Sequence, residues 1–98
     1  MLIKIHKTYR EVIAVCDDNL VGKKFEEGNK VLDVRESFFK GKEIQEKELV
    51  ELMTDFAKAD ATFNIVGKQS VETALKAGII SQDGVKKIKG IPYALVLL

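Results

Sequence analysis

Two apolar runs constrain this chain more than any other feature. Glu11 to Asp17 (E-V-I-A-V-C-D) and Tyr93 to Leu98 (Y-A-L-V-L-L) are each apolar on both faces of an extended segment. A strand with one face in water alternates apolar and polar residues, whereas a strand apolar throughout is covered on both sides. Glu11–Asp17 is therefore expected as a central strand. Tyr93–Leu98 is expected to be wholly buried, with the chain terminus inside the core.

The remaining elements arrange themselves around these two. Leu2 to Lys7 alternates, with Ile3 and Ile5 on one face and Lys4 and His6 on the other, so it reads as a hairpin with the strand that follows. A turn at Tyr9-Arg10 sets His6 opposite Ile13 and Cys16 opposite Ile3. Asp17 to Gly22 reads as a turn, and Lys23 to Asn29 as a polar connector with Phe25 buried. Lys30 to Arg35 reads as a third strand with Leu32 and Val34 inward, and Phe38-Phe39 as a loop that lays its rings over the sheet. From Gln45 to Ala59, Leu49, Leu52, Met53 and Phe56 recur at helical spacing, with Glu46, Glu48, Glu51 and Asp55 on the other side. Thr62 to Val66 is a fourth strand. Lys68 to Ala77 is a second helix that buries Val71, Ala74 and Leu75 and closes on Gly78. Val85 to Ile88 is a lysine-rich edge strand. The order β-β-β-α-β-α-β-β predicts one α+β domain over residues 1–98, a mixed, mostly antiparallel sheet of five to six short strands with two helices packed on it.

Composition narrows the functional classes. Ninety-eight residues supply one modest core. The single cysteine, Cys16, forms no intramolecular disulfide and suits a reducing compartment, and M-L-I-K-I-H is no leader or membrane span. A cytoplasmic protein without membrane contact is expected. Residues 61–98 hold five Lys/Arg against two Asp/Glu, and residues 36–60 hold four against seven, an asymmetry that permits a basic face.

The first candidate site lies in N-I-V-G-K-Q-S, Asn64 to Ser70, where a strand runs into a helix. Gly67 admits close approach, Lys68 brings a charge, and Ser70 donates a hydrogen bond, so the free N–H groups of the helix start can hold an anion. The chain has neither a P-loop nor a dinucleotide fingerprint. The plain alternative is that Gly-x-x-Ser is only a helix cap. A second candidate is a basic surface interleaved with aromatics: Tyr9, Arg10, Lys23, Lys24, Phe25, Lys68, Lys86, Lys87 and Lys89, with Tyr9 or Tyr93 free to stack. His6 and Cys16 fall on the order of 10 Å apart in the hairpin, too far to share a proton or an ion. Asp17, Asp18, Glu26, Glu27 and Asp33 match no cation loop and read as a solvated acidic stretch. No catalytic residue, metal or cofactor is predicted.

Several stretches resemble the archaeal family known as domain of unknown function 424. They are Tyr9-Arg10-Glu11-Val12 with Ala14-Val15-Cys16-Asp17, Leu20, Gly22-Lys23-Lys24-Phe25-Glu26-Glu27-Gly28, Leu32-Asp33-Val34-Arg35, Asn64-Ile65-Val66-Gly67, Ser70-Val71-Glu72 with Ala74, Gly78, and Gly90-Ile91-Pro92-Tyr93-Ala94. The resemblance implies an archaeal cytosolic protein in a translation-linked setting, and it supplies no activity and no catalytic residue.

The leading functional expectation is a non-enzymatic binding module that contacts RNA or a ribonucleoprotein. Its candidate contacts are Tyr9, Arg10, Lys23, Lys24, Asn64, Gly67, Lys68 and Ser70. The alternative is a protein–protein adaptor or homo-oligomer that pairs through Tyr93–Leu98 or the edge near Val85–Ile88. An enzyme that holds a phosphorylated small ligand at Gly67 ranks third.

Overall fold

In the computed structural model, which describes residues 1–97, the strand β2 (Glu11–Cys16) is the sheet's interior. Ile13 and Val15 on one side and Ala14 and Cys16 on the other are all 0% exposed, as an unbroken apolar run requires. β1 (Leu2–Lys7) pairs antiparallel to β2 on one flank, and β6 (Thr62–Val66) runs parallel to it on the other. Beyond β6 lie β8 (Ile91–Val96) and then the edge strand β7 (Lys86–Ile88), both added antiparallel. The two-residue strand β5 (Lys42–Glu43) pairs with the start of β1, giving the order β5-β1-β2-β6-β8-β7.

The hairpin register differs from the sequence expectation. Lys7 faces Glu11, so the loop is Thr8-Tyr9-Arg10, His6 lies opposite Val12, and Cys16 lies opposite Leu2. With three loop residues instead of two, Ile3 and Ile5 fall opposite Val15 and Ile13, and the apolar residues of both strands meet on one face.

That face carries two helices. α2 (Glu46–Lys58) and α3 (Lys68–Ala77) bury Leu49, Met53, Val71 and Ala74 against Ile3, Ile13, Val15, Phe63 and Ile65. Leu75 is only half-buried at the rim. At the end of α3, Gly78 adopts φ 76, and the N–H of Ile79 reaches back to the Ala74 carbonyl, the left-handed cap expected there.

The opposite face is covered over one half only. Lys23–Asn29 is not a connector: β3 (Lys24–Glu27) and β4 (Lys30–Asp33) form a separate two-stranded flap outside the main sheet. The Phe38-Phe39 segment is the end of a one-turn helix, α1 (Glu36–Phe39), and does lay its rings on the sheet. Leu20, Leu32, Val34 and Phe39 pack over Cys16, Val66 and Ile88, and the flap is tied down where the Lys89 N–H donates to Glu27 Oε1 at 2.8 Å.

Coverage stops before the end of β8. Ala94 is buried, but Leu95 is 54% and Leu97 69% exposed, so the expectation of a wholly buried last segment is corrected. Leu98 lies outside the described residues. In the Tyr93–Val96 alternation Ala94 and Val96 face the helices, Tyr93 packs at the margin of the flap-covered cluster, and Leu95 beyond it is left exposed.

Truncations in the helix-covered core report on this layering. Leu49→Ala is expected to cost about 2–5 kcal/mol and Phe63→Ala about 3–5 kcal/mol, read as lowered urea midpoints at unchanged slope. A loss under about 1 kcal/mol in both would show that α2 does not rest on this face.

Candidate functional site

The sequence places an anion pocket at the start of α3, and the fold fills it from within. β2 and β6 run side by side and parallel, so the residue after β2 arrives beside the turn that follows β6. The Asp17 N–H donates to the Val66 carbonyl at 3.1 Å, continuing the ladder by one step. The Asp17 carboxylate then accepts from the N–H groups of Gln69 (3.1 Å) and Ser70 (2.9 Å) and from the Ser70 hydroxyl (2.8 Å). A carboxylate on the free amides of a helix start suits both the unpaired donors and the dipole. Ser70 is 0% exposed and Asp17 8%.

Gly67 makes this approach possible. Its φ of 109° is a conformation side chains rarely adopt, and a Cβ built there would stand 2.4 Å from the Asp17 carboxyl carbon. Gly67 and Ser70 thus serve an internal anion, the Asp17 carboxylate, which occupies the amides that the sequence reading offered either to an external anion or to a helix cap. The reading of Asp17 as part of a solvated acidic stretch is corrected: it is buried, and its partners, 52 and 53 positions away, left no local signal.

The other predicted contacts are dispersed. Tyr9, fully exposed, and Arg10 sit in the β1–β2 loop, at the opposite end of β2 from Asp17, roughly 20 Å away at the strand rise. Lys23 and Lys24 belong to the flap side, where Lys24 Nζ is 3.8 Å from Glu26 Oε1. Lys68 stands on the helix-covered side, in a pocket of about 400 Å³ shared with Glu72, Gln82, Lys87 and Pro92. Asn64 faces the other side of the sheet. One basic surface uniting all eight residues does not form.

Asn64 instead floors a groove of about 380 Å³ on the open half of the sheet. β6 and β8 supply the floor, with Asn64 directly opposite Leu95 and Val66 opposite Tyr93. Phe38 and Phe39 of α1 form one wall, and Leu32, Asp33 and Arg35 at the end of the flap form the other. Phe38 is held by His6, whose ring stacks on it at 4.5 Å between centroids and 14° between planes, and whose Nε2 lies 2.9 Å from the Phe38 carbonyl oxygen. At the rim, Arg35 Nη2 donates to Asp33 Oδ2 at 3.1 Å. The Asn64 amide has no hydrogen-bond partner among the described side chains. The sequence signal for this surface was present in the residues 93, 95 and 97 of one face, but it was masked by the apolar residues between them.

Cys16 is buried beneath the flap, and burial, followed by the nearby Asp17 and Asp18 carboxylates, pushes its thiol up to about 11. Among the described residues no group of three His, Cys, Asp or Glu is placed to hold a metal ion. No helix among them is long and apolar enough to cross a membrane.

The pattern of the family described as "Protein of unknown function (DUF424)" matches residues 5–98. The chain belongs to this family. Its fold is shared by a solved structure, the "Crystal structure of an uncharacterized conserved protein from Methanopyrus kandleri", an archaeon. The TM-score is 0.86 at 22% identity, over 97% of this chain and 88% of that one. No curated protein matches. The resemblance read from the sequence is therefore correct as to family, and the family match takes in both the Asp17–Ser70 lock and the groove.

Two measurements check this geometry. Asp17→Ala strands two amides and a hydroxyl and is expected to cost about 1–3 kcal/mol in urea unfolding, with Asp17→Asn milder because it keeps an acceptor. Unchanged stability in Asp17→Ala would contradict the lock. Cys16 is expected to stay unmodified by a disulfide reagent in native buffer at neutral pH and to react fully in denaturant. Rapid native labelling would place the thiol outside the core.

Proposed function

We propose that this chain is a non-enzymatic binding module that docks a protein partner on the open half of its sheet. The observation that carries the reading is the exposure of Leu95 and Leu97, 54% and 69%, beside a groove lined mainly by apolar residues, with Asp33, Arg35 and Asn64 as its charged and amide members. Scattered surface leucines need no explanation, but leucines continuous with a walled concavity mark interaction surfaces. Docking there uses side chains. The backbone of β8 is paired by β6 from Tyr93 to Val96, while β7 covers its other flank only from Ile91 to Tyr93, so among the described residues an unpaired edge at residues 94–96 adjoins this face. The edge at β7 favours no pairing, because Lys86 and Lys87 are both exposed on it, a common protection of sheet edges.

A second reading, contact with RNA or a ribonucleoprotein, has one observation of its own. Lys68 and Lys87 line one pocket, and Lys86 stands on the other face of the same short edge strand, so three cations flank β7. It no longer includes the helix start, whose amides are taken by Asp17.

The two readings separate in one set of experiments. The full chain and Leu95→Asp, whose side chain is exposed and whose fold is expected unchanged by circular dichroism, are used for affinity capture from the native cell extract. The docking reading expects protein retained by the wild type and reduced about tenfold by the variant, as for a central interface residue. Equal retention overturns it. Single-stranded RNA binding that falls steeply between about 50 and about 200 mM salt, and that weakens in Lys68→Ala and Lys87→Ala, would move the conclusion to RNA.

A further inference from the structure

We infer that the partner on the open sheet face is a second copy of this chain, related by a twofold axis. The inference rests on the docking reading above and names its occupant. A twofold interface is self-complementary, so each copy must carry both members of every contact within one patch. This patch does so in shape. Leu95 is 54% exposed and itself lines the groove of about 380 Å³ together with Asn64, Tyr93 and Phe38, and Leu97, 69% exposed, follows it along the chain. In a twofold arrangement the leucines of each copy enter the groove of the other.

The patch is self-complementary in charge as well. Its rim carries one cation and one anion side by side, Arg35 and Asp33, and both reach solvent, with side chains 67% and 34% exposed. A twofold axis beside this pair brings Arg35 of each copy to Asp33 of the other, exchanging a weak exposed ion pair within one chain for two across the interface. The net charge of +1 sets up almost no repulsion between copies. The two faces then meet as packed sheets, about 10 Å apart, and the flap and α1 confine the contact to the uncovered half. A typical stable interface takes about 800 Å² from each partner, and the confined patch is only part of one face of a chain exposing 6020 Å² in all. The association is accordingly expected to be weak.

Sedimentation velocity of the full chain from micromolar to millimolar concentration tests this. The expected result is a mass that rises toward twice the monomer for the wild type and stays at the monomer for Leu95→Asp. Asp33→Arg and Arg35→Asp, each alone, are expected to weaken association several-fold, and the double swap to restore it, because the exchange across the axis is preserved with its signs reversed. This pair of reversals keeps the test sound even where Leu95→Asp disturbs the fold. A wild type that is monomeric up to millimolar concentration overturns the inference, as does association that ignores both Leu95 and the charge swap. If the chain is monomeric while extract capture still depends on Leu95, the occupant is a different protein and the docking reading stands. If both fail, both readings fall.

Discussion

The Asp17 carboxylate on the start of α3 is the interaction that orders the rest of this molecule. It joins the end of β2 to the turn between β6 and α3, the place where the sheet's one parallel pair needs a fixed relation between segments 50 residues apart. Parallel strands have no tight turn to set their register. Here a buried anion, two backbone amides and a hydroxyl set it instead, and Gly67 supplies the room. Once β6 is fixed, α3 lies on the helical face and β8 is added on β6's outer flank.

The same lock decides where function can reside. A helix start with free amides is a ready anion site, but here the Gln69 and Ser70 amides are satisfied internally by Asp17. The sheet has two faces and the chain has enough apolar surface to cover one and a half of them. α2 and α3 close the first. The flap and α1 close the half of the second that lies over Cys16, Val66 and Ile88. What remains is a walled groove lined in part by the exposed Leu95, the surface on which the proposed docking rests.

Much of this was legible in the residues. The double-faced apolar run at Glu11–Cys16 located the central strand, the stripe Leu49, Leu52, Met53 and Phe56 located α2, and Gly78 located the end of α3, because each is a local pattern with one physical solution. The flap was legible only in its second strand, Lys30–Arg35, where Leu32 and Val34 are buried as read. K-F-E-E carries a single half-buried aromatic, and its strand character comes from pairing with Lys30–Asp33 and from docking on the sheet. The hairpin register slipped by one because Tyr9-Arg10 is no preferred two-residue turn, and the burial of Ile3 opposite Val15 chose the three-residue loop.

The candidate site shows the same division. Gly67 and Ser70 were found as a special backbone position and a cap, while the anion they serve was hidden by its distance along the chain. Asn64 was found as a polar residue that a core explains poorly, and it does floor the groove. Tyr93–Leu97 misled, since an apolar strand buried by its own chain and one left for a partner have the same sequence. The direct test is the backbone amide NMR spectrum of the full chain, followed as protein concentration rises and then as inorganic phosphate is added. The account predicts concentration-dependent shifts at Asn64, Leu95 and Asp33 to Phe39, with Gln69 and Ser70 unmoved by either titration. Saturable phosphate shifts at Gln69 and Ser70, with the groove residues still, would contradict it.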